Sequence, residues 1–123
     1  MVDPQSEALR GRHLLIVEDE YMIAAELARA LQDRGANVIG PAGSVEDALQ
    51  LLEAERQIDG AVLDINLGGE RAYPVADALR ARAVPFVFAT GYDAWVIPET
   101  YASVPRMEKP VNMPSLARLL SKD

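Results

Sequence analysis

Leu14-Leu15-Ile16-Val17-Glu18-Asp19-Glu20 is an apolar run without polar alternation that stops abruptly on three carboxylates. Such a run marks a strand buried on both faces, the condition of a parallel strand with helices above and below it. Just downstream, Ile23, Leu27 and Leu31 recur at a spacing of four, Ala24, Ala28 and Ala30 favour helix, and Gly35 supplies a stop. The unit is strand, acidic loop, helix. Further along, Ala61-Val62-Leu63 runs into Asp64-Ile65-Asn66-Leu67 and then Gly68-Gly69, so a carboxylate again stands where a buried strand gives way to a loop.

Between these segments, Asn37-Val38-Ile39-Gly40 reads as a weak strand broken by Pro41-Ala42-Gly43, and Ser44 as the N-cap of a helix with Val45, Ala48, Leu49 and Leu52 on one face. Beyond them the pattern predicts a helix over Val75 to Ala83 and a strand over Pro85 to Ala89 that ends at Thr90-Gly91. Pro98 and Pro105 interrupt the stretch from Tyr92 to Arg106, so the fourth helix is short or irregular, over Pro98 to Ala102 with Pro98 in its first turn. A brief strand near Met107 precedes Lys109-Pro110, and Pro114 opens a last helix with Leu116, Leu119 and Leu120 on its apolar side. Residues 1–12 are polar, with Pro4 and Gly11, and are expected to be a flexible lead-in with one helical turn near Ala8; residues 13–123 then make one domain. Five strands alternating with five helices imply an α/β fold, an open, doubly wound parallel sheet with right-handed crossovers, since a closed eight-unit barrel needs about twice the length.

Half of the 123 residues are apolar, enough for a core, and 12 basic against 19 acidic side chains leave a net charge of −7. That balance disfavours a nucleic-acid partner. With no Cys and one His, disulfide frameworks, thiolate zinc sites, cysteine nucleophiles and polyhistidine metal sites are excluded. No apolar run approaches the roughly 18 to 20 residues of a membrane span, and the opening residues lack a signal core, so a cytoplasmic protein with no membrane partner is expected.

Taken singly, Glu18-Asp19, Asp64, Thr90 and Lys109 each have an ordinary explanation as loop, cap, strand-end or surface residues. Together they fall at the ends of parallel strands and open onto one sheet edge, where ligands of open α/β sheets bind. Crowded carboxylates without His or Cys raise one another's pKa unless a hard cation neutralises them, which predicts a Mg²⁺ site. Thr90 and Lys109 are suited to the remaining oxygens of a phosphoryl group, and Asp64 is the best placed nucleophile for an acyl phosphate.

From Leu14 to Leu120 the chain resembles the receiver domain of two-component response regulators. The resemblance is carried by Val17-Glu18-Asp19-Glu20, by Leu63-Asp64-Ile65-Asn66-Leu67, by Ala89-Thr90-Gly91 and by Glu108-Lys109-Pro110-Val111. It implies a flavodoxin-like three-layer α/β/α fold with strand order 2-1-3-4-5. It also implies that Asp64 accepts a phosphoryl group from a histidine kinase or phosphotransfer protein, that Asp19, Asp64 and the Asn66 backbone carbonyl ligate Mg²⁺, and that Glu18 helps through water. Thr90 would move toward the phosphoryl group and Lys109 would pair with it; the Lys109-Pro110 bond is often cis in the family. Gly91 would leave room for donor and water, while Asn66 and Tyr92 stand where the family tunes dephosphorylation.

One position departs from the pattern. Three residues before the lysine, where receivers usually carry Tyr or Phe as a rotameric switch, stands Arg106. Phe88-Ala89-Thr90-Gly91 followed by Tyr92 resembles a subgroup, common among alphaproteobacterial stand-alone regulators, that lacks the switch aromatic and has an altered fourth helix. The expectation is thus a single-domain response regulator, a signalling switch and not an enzyme, that hands its state to a downstream protein; a receiver excised from a larger regulator or hybrid kinase is the alternative. A small Mg²⁺-dependent phosphatase of the haloacid dehalogenase type is a further alternative, but it would need a second Asp where Asn66 stands.

Overall fold

In a computed structural model describing residues 8–91 and 97–121, the two acid-terminated runs lie side by side at the middle of a sheet. In chain order the elements are β1 (His13–Val17), α1 (Tyr21–Gln32), β2 (Asn37–Ala42), α2 (Val45–Ala54), β3 (Gly60–Asp64), β4 (Asn66–Leu67), β5 (Glu70–Arg71), α3 (Tyr73–Ala81), β6 (Phe86–Thr90), a 3₁₀ turn (Glu99–Tyr101), β7 (Arg106–Glu108) and α4 (Met113–Leu120). Five strands form a parallel sheet in the order β2-β1-β3-β6-β7, and β4 and β5 form a separate antiparallel hairpin. Counting only the five sheet strands, this is the expected 2-1-3-4-5 order.

The alternation of side chains along each strand divides the core in two. Leu14, Ile16, Val62, Val87 and Ala89 face one way and pack with Leu27 and Leu31 of α1 and Leu116, Ala117 and Leu120 of α4. Leu15, Val17, Ala61, Leu63 and Phe88 face the other way, toward Ala48 and Leu52 of α2 and Val75, Ala76 and Leu79 of α3. With both faces covered, central strands can be apolar throughout, which is why the runs show no alternation. Leu9, in the stretch read as a lead-in, is fully buried in the first of these layers, and its backbone N–H donates to the Arg34 carbonyl at 3.0 Å.

The α2 and α4 helices start on side-chain caps. Ser44 Oγ accepts from the Asp47 N–H at 3.1 Å, as its position in the sequence suggested, and Asn112 Oδ1 accepts from the Ser115 N–H at 2.9 Å. Three boundaries differ from expectation. β2 continues through Pro41 to Ala42, because an edge strand needs no donor on its solvent side; Gly40 sits at φ +94°, where an added Cβ would lie 2.9 Å from the Ala42 nitrogen. The α3 helix begins at Tyr73, with Pro74 in its first turn, and ends at Ala81, not Ala83. Its end is a Schellman motif: Ala83 takes the left-handed conformation (φ 58°), and the Ala83 and Val84 N–H groups donate to the Arg80 and Leu79 carbonyls. Glycine normally occupies that place, so its absence hid the stop. In α4, Leu119 is 45% exposed, since the buried stripe is Leu116, Ala117 and Leu120.

Between β6 and β7 the described residues hold a 3₁₀ turn with Pro98 at its N-cap position, so the short, irregular fourth helix expected over Pro98 to Ala102 is there as a single turn, beside four α-helices among the described residues. Tyr101 anchors that turn. Its ring stacks on Tyr73 with centroids 4.7 Å apart, meets Phe88 edge-on, and lies 4.9 Å from the Arg80 guanidinium. Its hydroxyl donates to Asp77 at 2.7 Å, and burial with that carboxylate pushes the phenol pKa up to about 12.

Arg82 closes the opposite end of α2, its guanidinium donating to the carbonyls of Leu52, Glu55 (3.0 Å) and Arg56 (2.9 Å). These satisfy carbonyls that a helix end leaves without partners. Arg82→Ala is expected to cost about 1–2 kcal/mol in chemical denaturation. Arg82→Lys should recover less than half of that, because an ammonium cannot match the fork; an unchanged midpoint for Arg82→Ala would contradict this role.

Candidate functional site

Glu18 follows β1, Asp64 ends β3, Thr90 ends β6 and Lys109 follows β7. The strands are parallel and in register, with Val17 opposite Leu63, Asp64 opposite Ala89 and Thr90 opposite Glu108, so these residues converge at one edge of the sheet. Asp64, Thr90 and Lys109 line a cleft of about 360 Å³, together with Asp19, Asn66 and Arg71.

Lys109 is the hub. Its Nζ lies 2.8 Å from Glu18 Oε1 and 2.8 Å from Asp64 Oδ2. The second oxygen of each carboxylate is also held: Glu18 Oε2 accepts from the Glu20 N–H and Asp64 Oδ1 from the Asn66 N–H, both at 3.1 Å. The carboxylate planes are therefore fixed. Glu18 is 5% exposed and Asp64 7% exposed, whereas Asp19 stands in solvent. Burial pushes the Glu18 carboxyl up to about 7, outweighing the lowering by the Lys109 ammonium and the Glu20 N–H, and the neighbouring Asp64 adds to the rise. Burial acts to lower Lys109, but Asp64 and Glu18 outweigh it and hold the ammonium above its ordinary range.

One carboxylate oxygen from each of Glu18, Asp19 and Asp64 falls within 4.8 Å of the others. The donors are all oxygen, and one of them, Glu18, is driven toward protonation by its surroundings. That combination suits a hard divalent cation such as Mg²⁺. Lys109 supplies a single positive charge to this group of carboxylates, which leaves room for further cationic charge.

The other anticipated residues fall as follows. Thr90 is buried, and its Oγ1 donates to the Met107 carbonyl of β7 at 3.3 Å. Gly91 lines the cleft, and a Cβ there would meet nothing within 4 Å. Asn66 is exposed on the cleft wall, its side-chain oxygen accepting from the Gly69 N–H at 3.1 Å. Arg106 is an exposed residue of β7 paired with Phe88 in register. The Lys109-Pro110 bond is cis, as is Gly40-Pro41. Tyr92 lies outside the described residues.

Sequence reasoning missed two things. It paired Lys109 with an incoming phosphoryl group but not with Glu18, a contact between residues 91 positions apart that no local pattern encodes. It also passed over Arg71, brought to the cleft by the β4–β5 hairpin. The available signal was Gly68-Gly69, whose φ values of +59° and +98° make the two-residue turn that most side chains would resist.

Comparison with known proteins places this geometry among relatives. The Response regulator receiver domain family model matches residues 14–117. The solution structure of SdrG from Sphingomonas melonis Fr1 superposes with a TM-score of 0.78 at 41% identity, covering 89% of this chain and 92% of that one. A BeF₃-activated conformation of SdrG superposes with a TM-score of 0.72, covering 88% and 92% of the two chains. The transcriptional regulatory protein PdtaR of Mycobacterium tuberculosis is 27% identical over 88 residues, 71% of this chain and 42% of the relative. The chain thus spans less than half the length of that curated relative.

Proposed function

The chain belongs to the response regulator receiver domain family, and from that premise we propose that it is a Mg²⁺-dependent signalling switch, phosphorylated on Asp64 by a histidine kinase or phosphotransfer protein. The observation that carries the reading is Lys109 held at 2.8 Å from both Glu18 and Asp64, beside a third carboxylate, Asp19. Residues 13–123 form the receiver in this reading, with Leu9 of the preceding stretch packed into its core. A cytoplasmic location, where ATP supplies such kinases, goes with it.

Asp64 is the nucleophile. With Oδ1 anchored by the Asn66 N–H and Oδ2 by Lys109, its carboxylate is oriented before any donor arrives, so little rearrangement is needed to reach phosphorus. Glu18, Asp19, Asp64 and the Asn66 carbonyl would hold Mg²⁺, which when bound neutralises charge on the carboxylates and on the phosphoryl oxygens. Lys109, already at Asp64, is positioned to take a phosphoryl oxygen as charge builds. Gly91 keeps the cleft open above Asp64 and leaves water a path, so Asn66 and Tyr92 set how fast the acyl phosphate is lost.

Thr90 links the site to the rest of the molecule. Its hydroxyl has one proton to donate; turning toward a phosphoryl oxygen takes it from the Met107 carbonyl. Met107 adjoins Arg106, so release of that bond reaches β7 directly, without the aromatic side chain that Arg106 replaces. A protein partner reading the β6–β7 side would sense phosphorylation through this backbone contact.

The test is direct. Incubated with Mg²⁺ and acetyl phosphate, the chain is expected to gain the mass of a single phosphoryl group, and chelation of Mg²⁺ should abolish the gain. Sustained release of phosphate from a phosphomonoester, without accumulation of an acyl phosphate, would favour the phosphatase alternative instead.

A further inference from the structure

The cleft wall that carries Asn66 also carries a cation. In the β4–β5 hairpin, Asn66 stands directly opposite Arg71 and Leu67 opposite Glu70, with Gly68-Gly69 as the turn. Residues directly opposite in an antiparallel pair project to the same side of the ribbon. Asn66 and Arg71 accordingly both line the cleft, Asn66 two residues beyond Asp64 and Arg71 across the ribbon from Asn66.

The hairpin is held at several points. Leu67 is buried in the core, the Ala72 N–H donates to the Ile65 carbonyl at 2.8 Å behind Arg71, and Glu70 accepts from the Val45 N–H at 3.5 Å. Arg71 is thus an exposed side chain on a braced support. Among the described residues its guanidinium makes no hydrogen bond, ion pair or ring contact, although Asp19, Glu20 and Asp64 line the same cleft. Lys109, by contrast, is already committed to Glu18 and Asp64.

From this contrast we infer that Arg71 is a second cationic contact for the phosphoryl group, complementing Lys109 and setting how strongly the site engages its phosphodonor. A phosphoryl group brings about two negative charges and three oxygens that can each accept more than one bond, so Mg²⁺, the Thr90 hydroxyl and the engaged Lys109 ammonium still leave acceptor sites on the side facing the hairpin. A guanidinium presents paired donors that match two of those oxygens. In the transfer, an Asp64 oxygen forms the bond to phosphorus while the bond from phosphorus to the donor's leaving atom breaks, that atom keeping the electron pair. Arg71 holds the non-bridging oxygens and neither gains nor loses a proton. This inference rests on the phospho-accepting reading of Asp64.

The experiment compares the wild-type chain with Arg71→Ala and Arg71→Lys, using acetyl phosphate as the probe at fixed Mg²⁺ and intact mass as the readout. Arg71→Ala is expected to raise the donor concentration for half-maximal rate by about ten-fold or more, with Arg71→Lys in between. Mg²⁺ affinity, followed separately by calorimetry, should be unchanged or tighter in Arg71→Ala, since a positive charge has left the neighbourhood of the carboxylates. Wild-type saturation behaviour in Arg71→Ala overturns the inference and leaves the Asp64 reading intact. Loss of Mg²⁺ binding or a lowered melting temperature in Arg71→Ala overturns it too, by showing a structural role. A wild-type chain that takes no phosphoryl group defeats both readings together.

Discussion

Asp64→Asn is expected to take up no detectable phosphoryl group from acetyl phosphate while remaining folded. The amide removes the anionic oxygen that must attack phosphorus, and an amide oxygen is a poor substitute. The local fold should tolerate the change. The side chain keeps its size, its oxygen can still accept from the Asn66 N–H, and Lys109 retains Glu18 at 2.8 Å. In the metal-free protein the loss of the Lys109 contact is offset by relief of repulsion among carboxylates within 4.8 Å of each other, so the net change should stay within about 1 kcal/mol. Asp19→Asn provides the contrast. It keeps the nucleophile and its two anchors, removes an exposed member of the acidic group, and should phosphorylate only at Mg²⁺ concentrations about ten-fold or more above wild type. Intact mass measured across a Mg²⁺ series separates the two: Asp19→Asn is rescued by more cation and Asp64→Asn is not. A phosphoryl gain in Asp64→Asn would place the acceptor elsewhere and end the proposed function.

The sheet was legible because its signal is local. Each buried strand is a short apolar run and each functional carboxylate follows one directly, so Leu14–Val17 with Glu18, and Ala61–Leu63 with Asp64, could be read residue by residue. Parallel pairing then does the rest, since it brings equivalent strand ends to one edge. What stayed hidden depends on tertiary context or on an unusual residue in a familiar role. Ala83 carries a left-handed helix stop normally given to glycine. Pro41 lies inside a strand that only its edge position permits. The β4 and β5 strands are two residues long, too short for any period to show, and so Arg71 escaped notice. Tyr101 gives no hint in the sequence of its stack on Tyr73, 28 positions away, or of its bond to Asp77.

Metal-free protein is expected to lose stability as pH rises from about 4.5 to about 7, and Glu18→Gln should abolish most of that loss. The sign follows from the proton. Glu18 has its ordinary value of 4.5 when unfolded and about 7 when folded, so the folded state binds the proton more tightly. The stabilisation is fully present below 4.5 and disappears as pH passes through 7, where the folded chain must keep a charged carboxylate in a position 5% exposed to solvent. A shift of that size corresponds to about 3 kcal/mol between the two ends of the window. The glutamine side chain of the variant would keep the shape and an acceptor oxygen for Lys109 without the charge. In the presence of a chelator above about pH 7.5, Glu18→Gln should therefore be more stable than wild type by about 1–3 kcal/mol. Urea denaturation at a series of pH values measures both curves. Repeating the series with saturating Mg²⁺ should flatten the wild-type curve near neutrality, because a bound cation offsets the burial of an ionised Glu18, and should leave Glu18→Gln less affected. A flat wild-type curve in chelator would show that Lys109 alone neutralises the carboxylates, and the structural reason for a cation at this site would be gone.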